Sequence, residues 1–273
     1  MRRKLLVFIM IMATVAASAC SKKPAAFDKF QDYLDWAEET GYKKGVMEPV
    51  GTEGVNNDIF HTLNDSGGYD SGRIVIGDSR CCQLGIYQER IEGSDYAVFA
   101  VWGGDYSPET KYPILTEKSL ADIEACFRNQ IEKHGSCTIY FFTTVNNYDF
   151  RENNNADFIK YAIDSAEILA QMEYEYNGTV YSPVVIVIGF DGCRNSSKVL
   201  GLDPADFNRY VEDYNNGVKE ALGKSEILKT AYENYTTVVD IEDGKTKYID
   251  DGLHYSDDVL RDITEYIVSS EIK

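Results

Sequence analysis

The chain has 273 residues and a mass of 30.8 kDa, within reach of one large α/β domain. It carries 45 Asp and Glu against 27 Lys and Arg, a formal net charge of −18. So acidic a surface repels phosphate backbones and anionic headgroups, which argues against nucleic-acid binding and against docking on lipid through a basic face. Six cysteines are too few for a disulfide-dense scaffold.

Residues 1–20 read MRRKLLVFIMIMATVAASAC. Arg2, Arg3 and Lys4 form a positive start, and Leu5 to Ala17 is mostly apolar. That stretch is shorter than the roughly 20 residues a transmembrane helix needs, so it reads as a secretory signal peptide. Its end, Ala17-Ser18-Ala19-Cys20, resembles a bacterial lipobox, although Ala17 stands where Leu is usual. The resemblance implies lipidation of Cys20 and anchoring to the membrane through that lipid alone, at the cell surface or in the periplasm. The plainer alternative is ordinary cleavage after Ala19. Loss of residues 1–19 would take the net charge to −21. Cys81, Cys82, Cys126, Cys137 and Cys193 would remain besides Cys20, as buried thiols or in one or two disulfides. Their spacing matches no zinc pattern.

The rest alternates short apolar runs with amphipathic stretches. Phe27 to Glu39 has helical spacing, and residues 44–72 form an irregular lead-in rich in Gly, Asn and Asp. Strands are predicted over 73–77, 96–101, 138–145, 184–190 and 236–241. Helices are predicted over 118–133 with Gly135 as C-cap, over 156–176, after the Asp203-Pro204 start, and after Ser256 as N-cap. Apolar strands alternating with amphipathic helices imply a five-stranded parallel sheet covered on both faces, a three-layer α/β/α domain. The expected division is a signal peptide over 1–19, lipidated Cys, tether and N-terminal helix over 20–59, and one domain over 60–273.

In open α/β sheets the site lies beyond the carboxyl ends of the strands. Four strand ends carry polar groups: Gly77-Asp78-Ser79-Arg80, Gly103-Gly104-Asp105, Asn146-Asn147-Tyr148-Asp149, and Asp250-Asp251-Gly252-Leu253-His254-Tyr255. Gathered on one rim they supply a hydroxyl, glycine amides, a carboxamide, a carboxylate and an imidazole, the parts needed for acyl transfer.

These blocks resemble those of the SGNH/GDSL hydrolases, over about residues 72–269. Gly77-Asp78-Ser79 is similar to the first block, Gly103-Gly104 to the second, Val145-Asn146-Asn147 to the third, and Asp251-Gly252-Leu253-His254 to the fourth. Asn147 departs from the usual Asp, Thr143-Thr144 from a small residue or Gly, and Cys81-Cys82 from small residues after the nucleophile. The resemblance implies the flavodoxin-like fold of that family. It also implies a serine esterase acting on small acyl esters, acetyl among them, of a carbohydrate or other small molecule, with no cofactor or metal.

On that reading Ser79 is the nucleophile and His254 the base, since a free imidazole titrates near pH 6.5. Of the other histidines, His61 lies in the lead-in and His134 at a helix end. Asp251 orients the imidazole, with Asp250 and Asp257 as rivals. The oxyanion hole draws on the amides of Ser79 and of Gly103 or Gly104, and on the side chain of Asn146, or Asn147 in its place. Each position also has a plain alternative: a helix cap for Ser79, a turn for the glycines and asparagines, a solvated loop for Asp251. Arg80 and Arg194 read as anion holders or, more simply, as surface arginines, and Trp102 as a sugar-stacking or core ring. Two rival functions use the same rim: an acyltransferase with a sugar hydroxyl as acceptor, and a non-catalytic glycan-binding surface lipoprotein.

Overall fold

A computed structural model of the chain describes residues 26–40, 60–61, 71–91, 96–101, 103–107, 110, 113–144, 146, 155–194, 203–242, 244 and 246–270. The expected leader, Cys20 and residues 21–25 of the expected tether lie outside the described residues, as do Trp102 and Asn147.

In chain order the elements are α1 (Phe30–Glu39), β1 (Phe60–His61), β2 (Arg73–Gly77), α2 (Ser79–Arg90), β3 (Ala97–Ala100), α3 (Glu117–His134), β4 (Thr138–Phe142) and α4 (Asn155–Ala170). There follow β5 (Tyr174–Tyr176), β6 (Thr179–Tyr181), β7 (Val184–Gly189), α5 (Pro204–Leu222), α6 (Lys229–Glu233), β8 (Thr236–Thr237), α7 (Val238–Ile241) and α8 (Asp257–Ser269). The main sheet runs β1-β3-β2-β4-β7-β8. Its five strands from β3 to β8 are parallel, and β1 joins the edge antiparallel to β3. Leaving β1 aside, the order is 2-1-3-4-5, the flavodoxin-like winding, with a switch point between β2 and β4.

Alternation along the strands makes three layers. Ile74, Ile76, Phe99, Ile139, Phe141, Val185 and Val187 face one way, against α3, α4 and α5. Val75, Val98, Tyr140, Ile186 and Ile188 face the other, against α1, α2 and α8. Each side chain of this kind, fully buried, contributes about 1.5–3 kcal/mol relative to exposure. The five cysteines are buried free thiols, so the disulfide alternative is not realised among the described residues. No helix among the described residues is long and apolar enough to cross a membrane.

Helix ends follow local chemistry. Thr116 and Ser119 form a capping box for α3, and Gly135 ends it at φ 71°. Asp203 caps α5, with Pro204 behind it. Ser256 stands at the N-cap of α8, yet its hydroxyl makes no capping bond and is buried without a partner.

Three expectations are corrected. The predicted strand over 236–241 is a strand only at Thr236–Thr237. Thr237 Oγ1 accepts from the Asp240 amide at 3.3 Å, and that cap turns the β-branched run into α7. The helix expected over 156–176 stops at Ala170, and Tyr174–Tyr176 pairs with Thr179–Tyr181 instead. Asn177-Gly178 makes that turn, with φ 53° and 78°, a sequence signal that helical periodicity upstream obscures. The lead-in expected to be irregular contributes β1.

Candidate active site

Strand β2 delivers Asp78 and Ser79 to the rim. Asp78 is the N-cap of α2, and its Oδ1 accepts from the Arg80 amide at 3.0 Å. Ser79 is the first helical residue and 8% exposed. Its amide stands where a helix offers no internal acceptor and where the helix dipole is positive. Gly77 lets the helix start this close to the sheet, because a Cβ there would meet Cys81 Sγ at 2.4 Å and Phe142 Cβ at 3.0 Å.

Residues 247–256 bring the fourth block over Ser79. Ile249 donates to the His254 carbonyl at 3.0 Å and Ser256 to the Lys247 carbonyl at 3.1 Å, while Gly252 turns at φ 71°. Ser79 Oγ lies 2.9 Å from His254 Nε2, and His254 Nδ1 lies 2.6 Å from Asp251 Oδ2. A carboxylate only accepts, so Nδ1 carries the proton in the neutral ring and Nε2 accepts from the hydroxyl. Asp251 Oδ1 also accepts from the amides of Leu253 at 2.8 Å and His254 at 2.9 Å. Burial works against charge on Asp251. The bonds from the His254 ring and from the two amides outweigh it, holding the carboxyl below its usual range.

The structure decides between the rival carboxylates. Asp257 opens α8 and is committed elsewhere, to Arg90 at 3.2 Å and to the Tyr33 hydroxyl at 2.6 Å. Asp250 enters through its backbone, donating to the Asp28 carbonyl at 2.9 Å and accepting from Arg194 at 2.9 Å.

The second and third blocks meet beside Asp78. Asn146 Nδ2 lies 3.1 Å from the Gly104 carbonyl, 3.3 Å from Thr144 Oγ1 and 3.4 Å from Asp78 Oδ2. Thr144 Oγ1 itself lies 3.0 Å from both Asp78 Oδ2 and the Gly104 carbonyl. Nδ2 thus has two hydrogens facing three acceptors, and it donates to an oxyanion only by turning one of them away. The Gly104 amide already donates to the Val101 carbonyl at 3.0 Å, which corrects the expectation for that residue. Of the glycine pair Gly103, at φ 64° with open space where a Cβ would stand, is the remaining candidate donor. The carbonyl of Gly104, and not its amide, is what meets Asn146.

Arg80 is closed to an anion, and Arg194, though exposed, is engaged with the backbone. Arg80 is 3% exposed, paired with Asp78 at 3.3 Å and set 5.2 Å from the Phe190 ring centroid. Arg194 donates to the carbonyls of Ile249 at 3.2 Å and Asp250 at 2.9 Å, bracing the turn before Asp251. The structural roles of Arg194 and of Gln83, described below, have no local signal, because their partners lie far along the chain. No cluster of three or more His, Cys, Asp or Glu able to hold a metal occurs among the described residues.

No family model matches the chain, and no curated protein matches it. Solved structures similar to it include a carbohydrate acetylesterase family member from Sinorhizobium meliloti, at 10% identity and TM-score 0.47, covering 73% of this chain and all of that one. An aryl esterase of M. smegmatis is similar at 12% identity and TM-score 0.46, over 71% of this chain and 94% of that one. A protein from Streptococcus pneumonia described as a putative platelet activating factor is similar at 15% identity and TM-score 0.43, over 87% and 97%. The chemistry of the site rests on its own geometry.

Proposed function

We propose that the chain is an exported serine esterase of the SGNH/GDSL type, anchored through Cys20, that removes small acyl groups from a carbohydrate or another small ester. One observation carries this reading: Asp251, His254 and Ser79 stand in a continuous hydrogen-bonded chain, at 2.6 and 2.9 Å. That is the reach in which a base activates a hydroxyl and is itself oriented by a carboxylate.

The reading implies these steps. Ser79 Oγ attacks the ester carbonyl carbon, and its proton passes to His254 Nε2. The former carbonyl oxygen becomes an oxyanion beside the Ser79 amide, with Gly103 and Asn146 as the other donors. Each such donor typically lowers the barrier by about 2.7–4 kcal/mol. The intermediate collapses, the C–O bond to the alcohol breaks, and the leaving oxygen takes the proton from His254. Water then attacks the acyl-serine, gives a proton to the same nitrogen, and collapse releases the acid and restores Ser79. Asp251 holds the imidazolium formed in each half and remains ionised throughout.

A fluorophosphonate probe tests the nucleophile without knowledge of the ester. Ser79 should carry the label after peptide mapping, and Ser79→Ala should carry none. A panel of acetylated sugars and p-nitrophenyl esters should then show turnover that Ser79→Ala abolishes. A wild type that neither labels nor turns over any ester would sink the proposal.

A further inference from the structure

Gln83 lies one turn beyond Ser79 on α2 and is fully buried. Its Oε1 accepts from the Tyr255 amide at 3.1 Å, and its Nε2 donates to the Tyr255 carbonyl at 3.3 Å. Tyr255 directly follows His254 and is 1% exposed. A side-chain amide that takes both backbone groups of one residue does what a neighbouring β-strand would do for it. Arg80 adds a third tie, donating to the Tyr255 hydroxyl at 3.2 Å. The helix that carries Ser79 is therefore bonded directly to the residue after His254, across 172 positions of sequence.

We infer that Gln83 is a positioning residue that sets the height of the His254 segment above the Ser79 helix. The inference rests on the esterase reading of the same site. The Ser79–His254 contact, at 2.9 Å, joins α2 to the 247–256 segment, so its length follows from whatever fixes their spacing. Fully buried backbone groups keep their partners because unpaired ones are costly. Removing the carboxamide orphans both groups of Tyr255, and the segment shifts to recover them. A displacement of about 1 Å is enough to cost on the order of 10²-fold in rate.

The length and polarity of Gln are both required. Met matches its length but neither donates nor accepts usefully. Glu offers an acceptor to the Tyr255 amide in either form. It donates to the Tyr255 carbonyl only while protonated, and when ionised it repels that carbonyl.

The experiment follows phosphonylation of Ser79 by a fluorophosphonate, together with kcat and KM on p-nitrophenyl acetate, for the wild type, Gln83→Met, Gln83→Glu and Ser79→Ala. Near-UV circular dichroism keeps each variant below its unfolding transition. Gln83→Met should label about 10²-fold more slowly, with kcat reduced in parallel and KM within about threefold of the wild type. The Gln83→Glu rate, divided by that of the wild type at each pH, should fall as pH rises, because ionisation removes the donor. Folded Gln83→Met labelling at the wild-type rate would overturn the inference. If that variant does not fold, a pH-independent Gln83→Glu ratio overturns it. No label on the wild type, or full label on Ser79→Ala, would overturn the esterase reading instead.

Discussion

Asp78 and Arg80 flank Ser79 and pair with each other at 3.3 Å, their side chains only 2% and 4% exposed. The pair links the candidate blocks. Asp78 Oδ2 is shared by Arg80, Thr144 and Asn146, so one carboxylate ties the start of α2 to the loop after β4. Arg80 is always charged and stays buried between Asp78, Tyr255 and Phe190.

Asp78→Asn should therefore destabilise strongly. It removes from a buried guanidinium the carboxylate paired directly with it, leaving Asp191 as the other carboxylate acting on it, and breaking one side of such a pair costs about 3–5 kcal/mol. Urea unfolding should show that loss, with a smaller one for Arg80→Lys, which keeps the charge and loses the planar contact. Asp78→Asn within about 0.5 kcal/mol of the wild type would show that the pair contributes nothing to holding the rim.

Asn146→Ala should lower kcat by about 10²–10³-fold while Ser79 still labels, since the backbone amides keep part of the oxyanion contact. Stability should fall too, because Asn146 also bridges to Gly104 and Thr144. A variant with lower stability and unchanged kcat would make Asn146 a brace and not a donor.

Much of this was legible in the sequence, for a physical reason. Buried parallel strands must be apolar, so polar residues soon after them stand out, and Ser79 and Asn146 could be read in that way; His254, well past Thr237 where the fifth strand ends, was legible from the Asp251 three residues before it. The three-layer parallel sheet followed from the same alternation, and the flavodoxin-like winding from the family resemblance. What escaped is set by distant partners. All but one residue of α2 is buried, including Arg80, Gln83, Gln88 and Arg90, which no hydropathy pattern would place inside. They are tolerated because Asp78, Tyr255, Tyr96 and Asp257 receive their bonds. The short fifth strand escaped because Thr237 suits a helix cap as well as a strand. The different parts played by Gly103 and Gly104 depend on the Val101 carbonyl, which no local pattern points to.

Asp251→Asn should reduce turnover by up to about 10⁴-fold while the fold persists, because the carboxamide no longer selects the Nδ1–H tautomer. Acid stability should respond as well. The folded-state pKa of Asp251 is depressed, so its contribution is present above the unfolded carboxylate value and is lost as pH falls through the folded one. The variant should show a shallower loss of stability on the acid side. Wild-type turnover in Asp251→Asn would remove this carboxylate from the mechanism.

Asp191 behaves in the opposite sense. It is buried at the end of β7, and burial raises its pKa from 3.8 to about 6, against the pull of the Thr246 hydroxyl, Arg80 and the Val239 amide. Glu242 pushes the same way as burial, and the Tyr248 and Tyr255 phenols also face it. The folded chain then holds a proton here that the unfolded chain has released, so this group lowers stability as pH rises from about 4 to about 6. A shift of roughly two units corresponds to about 3 kcal/mol at most. Asp191→Asn abolishes the titration. It also changes the site at every pH, because Nδ2 must donate to the Thr246 hydroxyl where a carboxylate oxygen now accepts from it. The diagnostic quantity is therefore the slope. In urea titrations at several pH values, the stability of Asp191→Asn minus that of the wild type should climb between about pH 4 and 6.5 and then level. A difference that stays flat or falls across that window would show that Asp191 ionises in the folded chain as readily as in the unfolded one.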